Sequence, residues 1–208
     1  MNRYDRRIQL LAIGLSALAG FVDATGFIAL GGFFVAFMSG NSTRLAVALM
    51  SGHWQLAELA GLLIATFVAG VVAGSLVGHR ARTHRRPAVL VLVAVLLALA
   101  PAFAALGLPR VAIIAMVLAM GAENAVFERD GEVVGLTYMT GALVKVGQRL
   151  TLALLGGPRF AWVGYFGLWA GLIAGAVTGA AFFPLFGFAG LWFAAAAAAV
   201  LAVVAARL

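Results

Sequence analysis

The sequence predicts an all-α membrane protein, a polytopic transmembrane helical bundle with six full spans and two broken or re-entrant helices, built as two inverted-topology repeats. Composition carries the first part of that reading. Hydrophobic residues make up 64% of the 208 and charged residues only 10%, and mean hydropathy is +1.10. No soluble domain of this size hides so much apolar surface. The second observation is spacing, because the apolar residues come in runs of about 20, which at ~1.5 Å per residue match a hydrocarbon core about 30 Å thick. The third is an internal self-match, described below.

The first run covers 8–30 and follows Arg3, Arg6 and Arg7. Its opening resembles a cleavable signal peptide, but the apolar stretch continues past Ser16 and Ala19 to Leu30, so it reads as a span. Further full spans are expected over 59–78, 87–106, 111–127, 160–184 and 186–206, with an ambiguous seventh stretch at 33–50. Arg80, Arg82, Arg85 and Arg86 fill the short link between the second and third full spans. Basic residues concentrated at span ends mark cytoplasmic loops. Both the amino terminus and this link are therefore placed inside, and the net charge of +7 is read as topology with no nucleic-acid partner. The chain has no cysteine, so disulfides and thiol chemistry are excluded. Trp54, Trp162 and Trp169 read as interface anchors, and His53, His79 and His84 show no metal-ligand spacing.

Shifted against itself by 101 residues, the sequence matches along most of each half, making one membrane domain (1–208) of two repeats, 7–107 and 108–208. Gly20 meets Gly121, Asp23 meets Asn124, Met38-Ser39-Gly40 meets Met139-Thr140-Gly141, and Arg44 meets Lys145. Gly70, Gly74 and Gly78 fall on Gly171, Gly175 and Gly179. These glycines recur at helical spacing and are expected to let backbones pack closely.

The stretch 33–50 decides orientation. A full crossing there would leave four arginines of the 80–86 link outside, against the positive-inside rule. If the chain dips in and returns, each half has three spans and the halves are inverted, with both termini cytoplasmic. Met38 to Thr43 is where the helix is expected to break, since a glycine and four polar side chains there compete for backbone hydrogen bonds. The matching stretch at 137–156 is a softer break.

Gly20 to Ala24, Phe37 to Asn41 and Thr137 to Gly141 resemble signature stretches of the YoaK-like family, small bacterial membrane proteins gathered under a domain of unknown function. The likeness covers nearly the whole chain, including Asn124 to Phe127 and Arg129 to Gly131. It implies a location in the bacterial inner membrane and about six spans, and it supplies no substrate.

Candidate site residues are those that are costly where they lie. Asp23, Glu123, Arg44 and Lys145 are ionisable side chains at membrane depth, where insertion costs about 2.5–3.5 kcal/mol each. The expectation is that each half sends one acidic and one basic side chain to a shared central cavity. Ser39, Gly40, Asn41, Thr43, Asn124, Tyr138, Thr140 and Gly141 would complete a substrate- or ion-binding lining, as inverted-repeat transporters build theirs. The competing reading is structural, with Asp23–Arg44 and Glu123–Lys145 as locking ion pairs and the hydroxyl and amide side chains as helix caps. No nucleophile elbow, zinc-binding His-Glu-x-x-His or phosphate loop is present, so neither an enzyme, a cofactor nor a metal is expected. The favoured function is a small secondary transporter or channel-like permease for a small polar or charged solute, with alternating access by one inverted repeat rocking against the other and proton coupling through Asp23 or Glu123. The alternative is a non-transporting membrane scaffold. Partners are the bilayer, the solute and, given the small size, a second copy in a homodimer.

Overall fold

A computed structural model describes residues 6–129, 132–133 and 138–208. The described chain forms eight α-helices: α1 (Arg6–Ala29), α2 (Met38–Met50), α3 (Trp54–Ala81), α4 (Arg85–Ala105), α5 (Pro109–Glu123), α6 (Met139–Leu154), α7 (Val163–Phe186) and α8 (Leu191–Ala206). Two-residue segments β1 (Glu128–Arg129) and β2 (Glu132–Val133) pair antiparallel after α5. Three continuous helical stretches, Arg6–Ala29, Trp54–Ala105 and Val163–Ala206, are long and apolar enough to cross a membrane. The second and third each hold two helices joined by a 3-10 turn, at Arg82–His84 and Gly187–Gly190.

The ambiguous stretch resolves into two parts. Residues 30–37 leave the helix, and α2 then runs for only 13 residues, about 20 Å and too short to cross ~30 Å of hydrocarbon. The break therefore precedes Met38, and the helix is continuous through Gly40, Asn41, Ser42 and Thr43, which corrects the expected position. Gly31 and Gly32 cause it, with φ of 63° and 109°, a left-handed backbone that ends α1 as glycine commonly does. The hydroxyls meant to disrupt the helix instead bond back into it: Ser42 Oγ donates to the Met38 carbonyl at 2.9 Å and Thr43 Oγ1 to the Ser39 carbonyl at 3.3 Å. A tight turn at Ser51–His53 then folds α2 back against α3.

Glycines set the closest helix contacts. On α7, a Cβ added at Gly171 would meet the Ile13 carbonyl, at Gly175 the Ala17 carbonyl and at Gly179 the Phe21 carbonyl. Partner numbers climb in step by four, so α1 and α7 are parallel. On α3, Gly70 lies against Leu118 and Gly74 against Ala122 of α5, so α3 and α5 are parallel too. In lipid, where apolar burial gives little drive for helix association, such backbone approach supplies the packing. By contrast α8 reverses α7, since the Phe193 ring returns to within 5.4 Å of the Phe182 ring. Leu90, Val93 and Leu97 of α4 and Met116 and Met120 of α5 are fully buried in the core, whereas Leu62, Val68, Val72 and Leu76 turn an apolar stripe of α3 outward.

Gly175→Leu is expected to lower stability by about 1–3 kcal/mol or more through overpacking against the Ala17 carbonyl. Gly61, with nothing near its Cβ position, should accept alanine with unchanged or slightly raised stability. Thermal unfolding of both variants in detergent checks this, and equal behaviour would refute the packing role.

Candidate functional site at the helix breaks

In the first half, the side chain that organises the site is Asp23, six residues before the end of α1. The chain turns back after α1, and Asp23 Oδ1 accepts hydrogen bonds from the Val35 N–H at 2.8 Å and the Ala36 N–H at 2.7 Å. Val35 is fully buried and packs into the space that a side chain at Gly26 would fill. Asn41, also fully buried, closes the other side of the loop. Its Oδ1 accepts from the Phe34 N–H at 3.0 Å and its Nδ2 donates to the Phe34 carbonyl at 2.7 Å. Backbone groups outside a helix at membrane depth are tolerated only where protein satisfies them, and these two side chains meet that need.

Arg44 does not pair with Asp23. Its guanidinium sits over the Phe33 ring, 5.1 Å from the centroid, a cation–π contact, and close to Gly32. The rings of Phe27, Phe34 and Phe37 form a chain with centroid separations of 4.9 and 5.2 Å, and Gly40 gives Phe34 and Phe37 the room to lie on the first turn of α2. Ser39 and Thr43 are exposed on α2. The N-cap of α2 is Phe37 and has no side-chain cap bond, so the capping role considered for the polar residues here is not the one they take.

The second half repeats some of this geometry. α6 starts at Met139, Tyr138 stands at its N-cap, and the Tyr138 ring covers Gly141 as Phe37 covers Gly40. Met139 Sδ lies 3.8 Å from Ser16 Oγ, which donates to the Leu168 carbonyl at 2.8 Å. The start of α6 is thus held beside the middle of α1. Thr140 and Lys145 are exposed, and Thr137 lies outside the described residues.

Glu123, the last residue of α5, is fully buried, and neither carboxyl oxygen has a hydrogen-bond partner among the described residues. The expected Glu123–Lys145 pair is therefore absent. Asn124, 8% exposed, donates from Nδ2 to the Met120 carbonyl at 2.9 Å. Sequence reasoning missed Arg85, whose Nε donates to the Ala125 carbonyl at 3.2 Å, and Arg86, whose guanidinium sits 5.6 Å from the Phe127 ring centroid. Both were read only as markers of topology.

The four ionisable residues do not meet in one shared cavity. They divide into a hydrogen-bonded loop anchor at Asp23, a cation–π contact at Arg44, an enclosed carboxyl at Glu123 and an exposed Lys145. A groove of about 720 Å³ between α4 and α8 is lined by apolar residues and by none of the candidates.

Residues 11–204 match the family model described as protein of unknown function (DUF1275). The chain is 37% identical over 192 residues to a UPF0700 transmembrane protein of Rhizobium meliloti (strain 1021), across 92% of this chain and 83% of that one. No solved structure matches it. With the apolar helices, these similarities make the chain a multi-pass membrane protein. They meet the resemblance read from its motifs at the level of a family of uncharacterised membrane proteins, without extending to the YoaK-like name.

Removing the Asn41 amide should leave the half-buried Phe34 N–H and carbonyl without their protein partner, at up to about 1–3 kcal/mol for each group. Asn41→Leu is expected to lower the thermal transition well below that of Thr43→Val, whose hydroxyl only bonds back to its own helix. Similar transitions for the two would remove the anchoring role.

Proposed function

The chain belongs to the DUF1275 family, and from that premise we propose that it is a small secondary transporter or channel-like permease for a small polar or charged solute, with Glu123 as its proton-carrying group. The carrying observation is the Glu123 carboxyl, enclosed with neither oxygen bonded. An ionisable side chain so placed in a spanning helix is costly, and retention of such groups goes with ion and substrate pathways. A neutral carboxyl is tolerable in that enclosure, whereas a carboxylate calls for a cation or a donor to approach. Protonation and solute movement are thereby coupled.

The proposed topology is six spans, α1, α3, α4, α5, α7 and α8, in the bacterial inner membrane with both termini cytoplasmic. α2 and α6, of 13 and 16 residues, are the helices that start at depth, whereas α5 and α8, of 15 and 16 residues, are lengthened by the turns after Glu123 and at Gly187–Gly190. Parallel packing of α1 with α7 and of α3 with α5 supports a duplication, because each contact has a counterpart in the other half, and the inverted sense rests on the short α2. Gly70 with Leu118 answers Gly175 with Ala17, and Gly74 with Ala122 answers Gly179 with Phe21. Along α1 and α5 the offset is 101, but along α3 and α7 it is 105. The ungapped alignment of the glycines is accordingly replaced by one with four residues inserted in the second half, where the link 155–162 is longer than 51–53. Because each glycine contact joins one half to the other, the moving bodies in alternating access are the pairs α1/α7 and α3/α5 and not the two repeats.

The scaffold reading has its own support, since Asp23 and Asn41 bond loop backbone and leave the solute role to fewer residues. Flux separates the two. In proteoliposomes holding the full chain, a pH gradient should drive uptake of at least one solute from a panel of organic acids, amino acids and amines, and Glu123→Gln should cut that uptake at least tenfold while the protein remains monodisperse. Absence of flux of every panel solute with wild type favours the scaffold.

Topology is checked separately in this cysteine-free chain. Ser51→Cys and Thr83→Cys, both at exposed positions, should label with impermeant maleimide from opposite sides of the membrane. Labelling from one side would overturn the re-entrant assignment of α2.

A further inference from the structure

The groove between α4 and α8 takes no part in the transport proposal, and its shape and surroundings define an occupant. Its wall runs along α4 from Pro87 to Ala98 and along α8 from Trp192 to Ala206. Alanines on both helices, Ala94 and Ala199 among them, keep it open. The polar contribution to its surface is minor, so an acyl chain fits it and a hydrated solute does not.

The two helices are antiparallel under the topology above, which places the Pro87 end of α4 beside the Ala206 end of α8. At that end the charge changes abruptly. Arg86 immediately precedes Pro87 and Arg207 immediately follows Ala206, while Arg82, exposed and held at φ 46°, completes the rim of the α3–α4 turn. Arg86 lies over the Phe127 ring after α5, which leaves the headgroup to Arg82 and Arg207. The groove is thus greasy along its length and cationic at one mouth, complementary to a molecule with an acyl tail and an anionic head. Clusters of arginine beside spanning helices on the cytoplasmic side recognise anionic headgroups in this way, and the guanidinium fork suits phosphate.

We infer that the α4/α8 groove binds an anionic phospholipid of the cytoplasmic leaflet, with an acyl chain between Ala94 and Ala199 and the headgroup phosphate held by Arg82 and Arg207. This does not depend on transport.

Purified full-length protein, depleted of lipid in detergent, would be titrated with phosphatidylglycerol, phosphatidylcholine and inorganic phosphate, reading thermal stability and bound lipid by native mass spectrometry. Phosphatidylglycerol should bind and raise the transition, phosphatidylcholine should bind at least tenfold more weakly, and phosphate alone should have no effect. Arg82→Gln with Arg207→Gln should weaken phosphatidylglycerol roughly tenfold or more and leave phosphatidylcholine unchanged. Ala199→Phe, which fills the groove, should abolish bound phosphatidylglycerol; Ala199→Ser, of nearly native size, should keep it and shows that the position tolerates change. Equal binding of both lipids, or a shift reproduced by inorganic phosphate, would overturn the inference. So would a dimer cross-linked through Ala98→Cys in lipid nanodiscs, since a second copy would then occupy the groove.

Discussion

A chain that leaves the helix within a bilayer has to find protein partners for its free backbone groups, and here that demand falls on Asp23 and Asn41. One carboxyl oxygen holds two consecutive N–H groups, and one amide clasps both sides of a single residue. The rest of the first half follows from this arrangement. With the loop held back against α1, α2 is confined to 13 residues, and the turn at Ser51–His53 lays it against α3.

Two kinds of polar residue are therefore present at membrane depth, and they differ in what they touch. Asp23, Asn41, Ser42 and Thr43 are committed to backbone, and Asn124 bonds its own helix. Glu123 has no hydrogen-bond partner among the described residues. Asp23 shows that the fold can satisfy a carboxyl, so the bare state of Glu123 is a difference between two positions of one helix bundle and not a general property of its acids.

Much of the fold was legible because lipid imposes simple rules. Run length located the apolar helices to within about five residues, and glycine spacing announced the close contacts at Gly70, Gly74, Gly171, Gly175 and Gly179. The break was misplaced because two opposed tendencies of Ser and Thr were weighed only one way: their hydroxyls compete with a helix, but they also bond to the carbonyl one turn back. Gly31 and Gly32, whose φ values end α1, were the stronger signal. The ion pairs failed for a different reason. Helical spacing places Arg44 one turn beyond Gly40, but nothing in that spacing tells whether its guanidinium will meet a carboxylate or the face of Phe33. Nor could it show that Glu123, next to the residue aligned with Asp23, would be the carboxyl left alone.

The glycine contacts carry a consequence for biosynthesis. α1 is the first of these helices to leave the ribosome, yet the helix it packs against most intimately begins 134 residues after α1 ends. At translation speeds of about 5–20 residues per second, its wait is on the order of 10 s. During that interval Ala17 and Phe21 present to lipid the carbonyl surface that Gly175 and Gly179 will later cover. Neither half can mature alone, and a chain truncated after α4 would hold one side of two unfinished interfaces, exposed to quality control before the second half emerges.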